Sequence, residues 1–109
     1  VLDGLGEEVT VVVLEGGPEY FCFGADFDAL AEHGADTSAH RPGELFDIWR
    51  RLSGGPFVSI AHVRGKVNAG GVGFVAACDI VLADESATFS LSEMLFGLLP
   101  ACVYPFLTR

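Results

Sequence analysis

Asn68-Ala69-Gly70-Gly71-Val72-Gly73 is the stretch on which the reading of this chain turns. It lies between a run with strand character, Phe57 to Val63, and an apolar helical run through Phe74, Val75, Ala76, Ala77 and Cys78. Glycine lets a backbone come close to a ligand and adopt positive φ. The first turn of a helix leaves N–H groups without intrahelical partners and carries a partial positive charge. A second segment of the same character lies upstream, Phe21-Cys22-Phe23-Gly24-Ala25-Asp26. Two N–H donors aimed at one point form an oxyanion hole, which stabilises the charge a thioester carbonyl acquires when its α-carbon is deprotonated. Each segment alone is a weak signal, and Gly-Gly-x-Gly by itself reads more readily as close helix packing. Neither is a Gly-x-Gly-x-x-Gly dinucleotide fingerprint, and no Gly-Lys-Ser/Thr makes a P-loop.

Working outward, Thr10 to Leu14 reads as a short strand buried on both faces, because it is a continuous apolar run between Glu7-Glu8 and Gly16-Gly17-Pro18. Asp26 is placed to cap a short helix through Phe27, Leu30 and Ala31, and His33 to Arg41 reads as a polar loop. Pro42 suits the first position of a helix whose apolar face is Leu45, Phe46, Ile48, Trp49 and Leu52, ended by Ser53-Gly54-Gly55-Pro56. Ile80 to Ala83 reads as a third strand, Ala87 to Ser90 as a short extended piece, and Pro100 precedes a terminal helix. Strands alternating with helices predict an α/β fold with a mostly parallel sheet.

Composition narrows the function. The 109 residues are half apolar, enough to build a core, and the net charge is −9. The only basic pair is Arg50-Arg51, so neither nucleic acid nor an anionic membrane surface is an expected partner. Asp79 and Asp84 interrupt the longest apolar runs, so no span of membrane length is expected. Cys22, Cys78 and Cys102 show no metal-ligand spacing and read as small buried side chains in a reducing, cytoplasmic setting. No metal is expected. Chain ends so close to a strand and to an apolar helix start suggest a partial domain.

In this order the two glycine segments resemble the crotonase (enoyl-CoA hydratase/isomerase) superfamily. Ile60-Ala61-His62-Val63-Arg64-Gly65, Cys78-Asp79-Ile80-Val81-Leu82-Ala83, Phe89-Ser90-Leu91-Ser92-Glu93 and Gly97-Leu98-Leu99-Pro100 match further motifs of that family in sequence. The resemblance implies a ββα spiral, here residues 1–109 as a partial core domain without the usual N-terminal strands and C-terminal helical region. It implies oxyanion donors on the backbone of Ala25 and Gly70, a catalytic acid/base at Glu93, and substrate-binding positions at Gly24, Asp26, Asn68 and Gly71. It also exposes a departure: Gly73 stands where many hydratases carry a second glutamate. Water addition divides its proton transfers between two carboxylates, so a single carboxylate shifts the expectation.

Glu15-Gly16, Phe21 to Phe27, Lys66 to Gly71 and Ser90 to Cys102 look like the polyketide β-branching dehydratases. That likeness implies a lyase that dehydrates 3-hydroxy-3-methylglutaryl on an acyl carrier protein to a 3-methylglutaconyl thioester. The substrate would ride on phosphopantetheine or coenzyme A, with no other cofactor, in a homotrimer or hexamer. Hydration or isomerisation of an acyl-CoA is the alternative enzyme, and a non-catalytic thioester-binding or assembly module the alternative outside catalysis. The related decarboxylases are disfavoured, since Phe27-Asp28-Ala29 follows Asp26 without their lysine.

Single residues carry smaller expectations. Glu93, flanked by Leu91, Met94, Leu95 and Phe96, is expected in an apolar setting. Asn68 either orients a hydroxyl or water, or caps the helix after it. His62 reads as a structural histidine, and His33 and His40 as solvated. Tyr20 and Tyr104 read as packing residues with a hydrogen-bonding tip, and Trp49 as core or subunit contact.

Overall fold

The computed structural model describes residues 2–24, 42–97 and 99–109. Strands come in pairs: β1 (Val11–Glu15) with β2 (Tyr20–Cys22), β3 (Val58–Val63) with β4 (Lys66–Asn68), β5 (Ile80–Ala83) with β6 (Thr88–Ser90). Helix α1 (Pro42–Gly54) precedes the second pair and α2 (Gly70–Ala77) the third. A 3-10 turn (Ser92–Phe96) and α3 (Tyr104–Leu107) follow. The first strands of the pairs form one parallel sheet in the order β1-β3-β5, and the second strands form another, β2-β4-β6. The chain thus climbs in ββα turns, the spiral that the resemblance implies.

The first sheet is well registered, from Val11 opposite Val58 to Glu15 opposite His62, and from Ile60 opposite Ile80 to Val63 opposite Ala83. Only one of its faces is covered. Ser59, Ala61 and Val63 are fully buried, while Val11, Val13 and Leu82 on the other face stay about half exposed. This corrects the expectation that Thr10 to Leu14 is buried on both sides: the side chains alternate, as strand geometry requires, and the helices cover one face. The second sheet is short, three residues per strand, and its register shifts between Tyr20 and Cys22.

The core joins the two helices to the covered face: Trp49 and Leu52 from α1, Val72, Val75 and Ala77 from α2, Val63 and Val67 from the strands, and Phe106 from α3. Trp49 meets Phe74 and Phe106 edge-on at 5.9 and 5.8 Å between ring centres, a geometry aromatic quadrupoles favour. Ser59 is the buried polar residue of this core. Its hydroxyl lies 2.8 Å from the Leu52 carbonyl and 2.9 Å from Asp79 Oδ2, its backbone N–H donates to the same carboxylate oxygen at 2.8 Å, and Asp79 N–H donates back to Ser59 Oγ at 3.0 Å. These bonds pin the end of α1 and the turn after α2 to β3. They also hold the Asp79 carboxyl below its ordinary value, the Ser59 backbone N–H being the largest cause.

Several expectations about single residues change. Cys78 is buried and Cys22 half-buried, but Cys102 is exposed. Burial pushes the Cys78 thiol up, which keeps it protonated. Tyr20 and Tyr104 are both largely exposed, so they are not packing residues of this core; Tyr20 instead lies against Phe23, ring centres 4.4 Å apart. His62 shares a 2.9 Å hydrogen bond with Glu15, which also accepts from Arg64 at 3.3 Å. Among the described residues no helix is long and apolar enough to cross a membrane, and no group of three potential metal ligands exists.

Candidate active site

The three segments singled out by sequence meet at the end of the short sheet, where β2, β4 and β6 hand over to Phe23-Gly24, Ala69-Gly70 and Leu91-Ser92. Gly24 has φ +86°, a conformation that L side chains rarely adopt. A Cβ on Gly24 would also lie 2.8 Å from the Ala69 Cβ and 3.5 Å from the Gly70 nitrogen. The first glycine segment therefore presses directly on the start of the second. Ala25 and Asp26, the donor and the adjoining position that sequence assigns to the first segment, lie outside the described residues, as do the short helix and polar loop expected from Phe27 to Arg41.

Gly70 opens α2, and Ala69 is its N-cap. Ala69 has φ 51° and ψ −119°, a strained geometry for a residue with a Cβ, of the kind that costs about 1–3 kcal/mol and clusters at functional sites. It is held from both sides: Ala69 N–H donates to the Ser90 carbonyl at 2.9 Å, and Val72 N–H donates to the Ala69 carbonyl at 3.0 Å. Gly71 brings α2 against β2, since a Cβ there would fall 2.8 Å from both Cys22 Cβ and the Cys22 carbonyl oxygen.

Asn68 is not a helix cap; α2 has no side-chain cap bond. Its side chain instead joins all three segments. Nδ2 donates to the Phe23 carbonyl at 3.2 Å and to Ser92 Oγ at 2.9 Å. Oδ1 accepts from Ser90 Oγ at 2.9 Å and from Ser92 N–H at 3.3 Å. A backbone carbonyl can only accept and a backbone N–H can only donate, so Phe23 and Ser92 fix which way the amide faces. Two donors and two acceptor positions are all that a carboxamide has, and all four are used. Sequence reasoning assigned no role to Ser90 and Ser92. The available signal was their spacing of two in an otherwise apolar run, which puts both on one side of the strand end.

Glu93 follows Ser92 in the 3-10 turn and is half-buried. One carboxylate oxygen, Oε2, is buried with no hydrogen-bond partner among the described residues. The turn that bears this carboxylate is tied to Asn68 through the neighbouring Ser92 hydroxyl and N–H. Gly73 is the position at which, by the family resemblance, many hydratases carry a second glutamate. A Cβ on Gly73 would sit 2.6 Å from Cε2 and 2.7 Å from Cη2 of Trp49. The indole, itself only 1% exposed, occupies that space.

All 109 residues match the family model described as Enoyl-CoA hydratase/isomerase. The Bacillaene synthase dehydratase PksH of Bacillus subtilis is 60% identical over 105 residues, which are 93% of this chain and 40% of that protein. The Enoyl-CoA hydratase ACTT6 of Alternaria alternata is 37% identical over 98 residues, 90% of this chain and 32% of that protein. A crystal structure of the Bacillus subtilis polyketide biosynthesis protein PksH superposes with a TM-score of 0.82 at 60% identity, over 92% of this chain and 41% of that one. The chain therefore spans about 40% of the length of the first of these relatives.

Proposed function

The chain belongs to the enoyl-CoA hydratase/isomerase family, and we propose that its site serves a lyase that removes water from a β-hydroxyacyl thioester, 3-hydroxy-3-methylglutaryl on an acyl carrier protein, to form the 3-methylglutaconyl thioester of polyketide β-branching. The observation that supports this reading is the meeting of both glycine segments and the turn that bears Glu93 on Asn68, with the Trp49 indole packed against Gly73. The 60% identity to a protein described as a bacillaene synthase dehydratase supports the same chemistry.

In this mechanism the backbone N–H groups of Ala25 and Gly70 receive the thioester oxygen. The Glu93 carboxylate takes a proton from C2, and the charge moves to the oxygen held by those donors. The enolate then collapses: the C2–C3 double bond forms, the C3–OH bond breaks, and Glu93 returns its proton to the departing hydroxyl as water. Glu93 ends as it began, so one carboxylate suffices. Gly24, Asp26 and Gly71 shape the pocket around the thioester. Asn68, whose bonding capacity is spent within the protein, supports these groups and does not itself hold substrate. The thioester arrives on phosphopantetheine, and the protein works as a homo-oligomer in the cytoplasm, residues 1–109 forming part of its core domain.

A second reading, hydration of an acyl-CoA, is favoured by the 37% identity to a protein described as an enoyl-CoA hydratase. Glu93→Gln tests the first. It removes the proton carrier while keeping the shape, and is expected to slow dehydration by about 10²–10⁴-fold with the melting temperature unchanged. Full dehydration activity in Glu93→Gln overturns the assignment. Hydration of crotonyl-CoA by the unmodified protein, with 3-hydroxy-3-methylglutaryl-carrier protein left untouched, supports the second reading.

A further inference from the structure

We propose that Asn68 is the positioning residue of the site, holding the first glycine segment, the start of α2 and the Glu93 turn in one geometry through its bonds to Phe23, Ser90 and Ser92. This inference rests on the reading of Glu93 and Gly70 as working groups and assigns a role to a residue that the chemistry itself does not use.

Three observations carry it. The first is saturation. Nδ2 bonds to the Phe23 carbonyl and Ser92 Oγ, while Oδ1 accepts from Ser90 Oγ and Ser92 N–H, which leaves nothing for a ligand. The second is adjacency. Phe23 lies beside Gly24, Ser92 beside Glu93, and Asn68 itself two residues before Gly70. The third is the weakness of the surrounding frame. The short sheet has three residues per strand and a shift in register at β2, and Ala69 has a strained backbone. Strands at the short end of the usual range supply few ladder bonds to fix three loop ends. A side chain with four fixed partners supplies the missing constraint. Ser90 pairs directly with Asn68 in the β4–β6 register, so the Asn68–Ser90 bond runs across the ladder rather than along a loop. Catalytic groups tolerate little displacement, since a misplacement of ~1 Å can cost about 10²-fold in rate.

The test uses Asn68→Ala, Ser92→Ala and Ser92→Thr in the protein, with kinetics and amide hydrogen exchange measured on the same samples. For Asn68→Ala we expect kcat to fall by about 10²-fold with KM little changed, because no substrate contact is lost. Exchange is expected to quicken together at residues 22–24, 69–72 and 91–94, and to stay at the parent level in β1, β3 and β5. Ser92→Ala, which removes one of the four partners, should show the same pattern at smaller amplitude. Ser92→Thr keeps the hydroxyl and should restore the parent behaviour, which a purely volumetric role would not allow. Exchange that rises throughout the chain, or that stays at the parent level in all three segments of Asn68→Ala, overturns the proposal. So does a rise in KM without loss of kcat, which would make Asn68 a substrate contact. A parent protein that dehydrates nothing, with the exchange pattern as expected, counts against the proposed reaction and leaves the positioning role supported.

Discussion

The two sheets of this molecule are built from alternate strands of one spiral, yet they do different work. The β1-β3-β5 sheet pairs four or five residues at each junction in unbroken register, buries Ser59, Ala61 and Val63 under the helices, and is fastened by the Ser59–Asp79 exchange of hydrogen bonds. The β2-β4-β6 sheet pairs three residues at most, slips in register at β2, and spends its polar groups on Asn68. Stability resides in the first sheet and geometry in the second. The difference shows how one repeating unit can serve two ends: the longer strands rest on a full ladder and a buried core, and the short strands are joined at their ends by the Asn68 side chain.

Four changes sharpen or break that division. The largest effect on stability is expected at Trp49, which is shared by both halves. Trp49→Ala empties the space between α1, α2 and α3 and should cost about 3–5 kcal/mol; chemical denaturation would show it as a lowered midpoint. A loss under ~1 kcal/mol would mean that the indole is not the keystone. Gly73→Ala comes next. Alanine favours a helix over glycine by about 1 kcal/mol, but the added carbon meets the indole, and overpacking a filled core costs about 1–3 kcal/mol. The clash should win, giving net destabilisation in thermal melts, whereas a more stable variant would show that Trp49 yields readily and that the second carboxylate position is open.

Ser59→Ala should cost about 1 kcal/mol and leave kcat untouched, because its bonds lie in the frame. A loss of kcat at unchanged stability would join frame and site. The smallest effect is in the pH dependence. The Asp79 carboxyl is held below its ordinary value by the Ser59 backbone N–H and hydroxyl, so its contribution is fully present above the ordinary carboxylate value. It is lost as pH falls through the lowered value in the folded state. Asp79→Asn should therefore flatten the acid side of the stability profile below about pH 4. Identical acid slopes in the two proteins would argue against this contribution.

The division between the sheets also explains what the sequence could tell. Thr10–Leu14, Phe57–Val63 and Ile80–Ala83 were legible as strands because each is a sustained β-branched or apolar run, and the strands that form cover Val11–Glu15, Val58–Val63 and Ile80–Ala83. Tyr20–Cys22 and Lys66–Asn68 were not read as strands, since three residues carry no period. Of the second sheet, only Thr88–Ser90 was legible, inside the extended piece Ala87 to Ser90. Within the candidate site, Gly70, Gly71 and Glu93 were singled out by order and resemblance, and Gly73 as a departure from the family pattern. What escaped was pairing over distance: that Ser90 and Ser92 complete Asn68, and that Trp49, 24 positions before Gly73, fills the space beside it. Neither pairing has a local signature, because both depend on which strand lies beside which.

In the proposed reaction a single carboxylate at the end of the short sheet drives loss of water from a carrier-bound thioester. Mass spectrometry of 3-hydroxy-3-methylglutaryl-loaded carrier protein, incubated with the protein, addresses it most directly. The expected product is a carrier species lighter by one water, with no loss of carbon dioxide. An unchanged carrier, or one lighter by carbon dioxide, would contradict it.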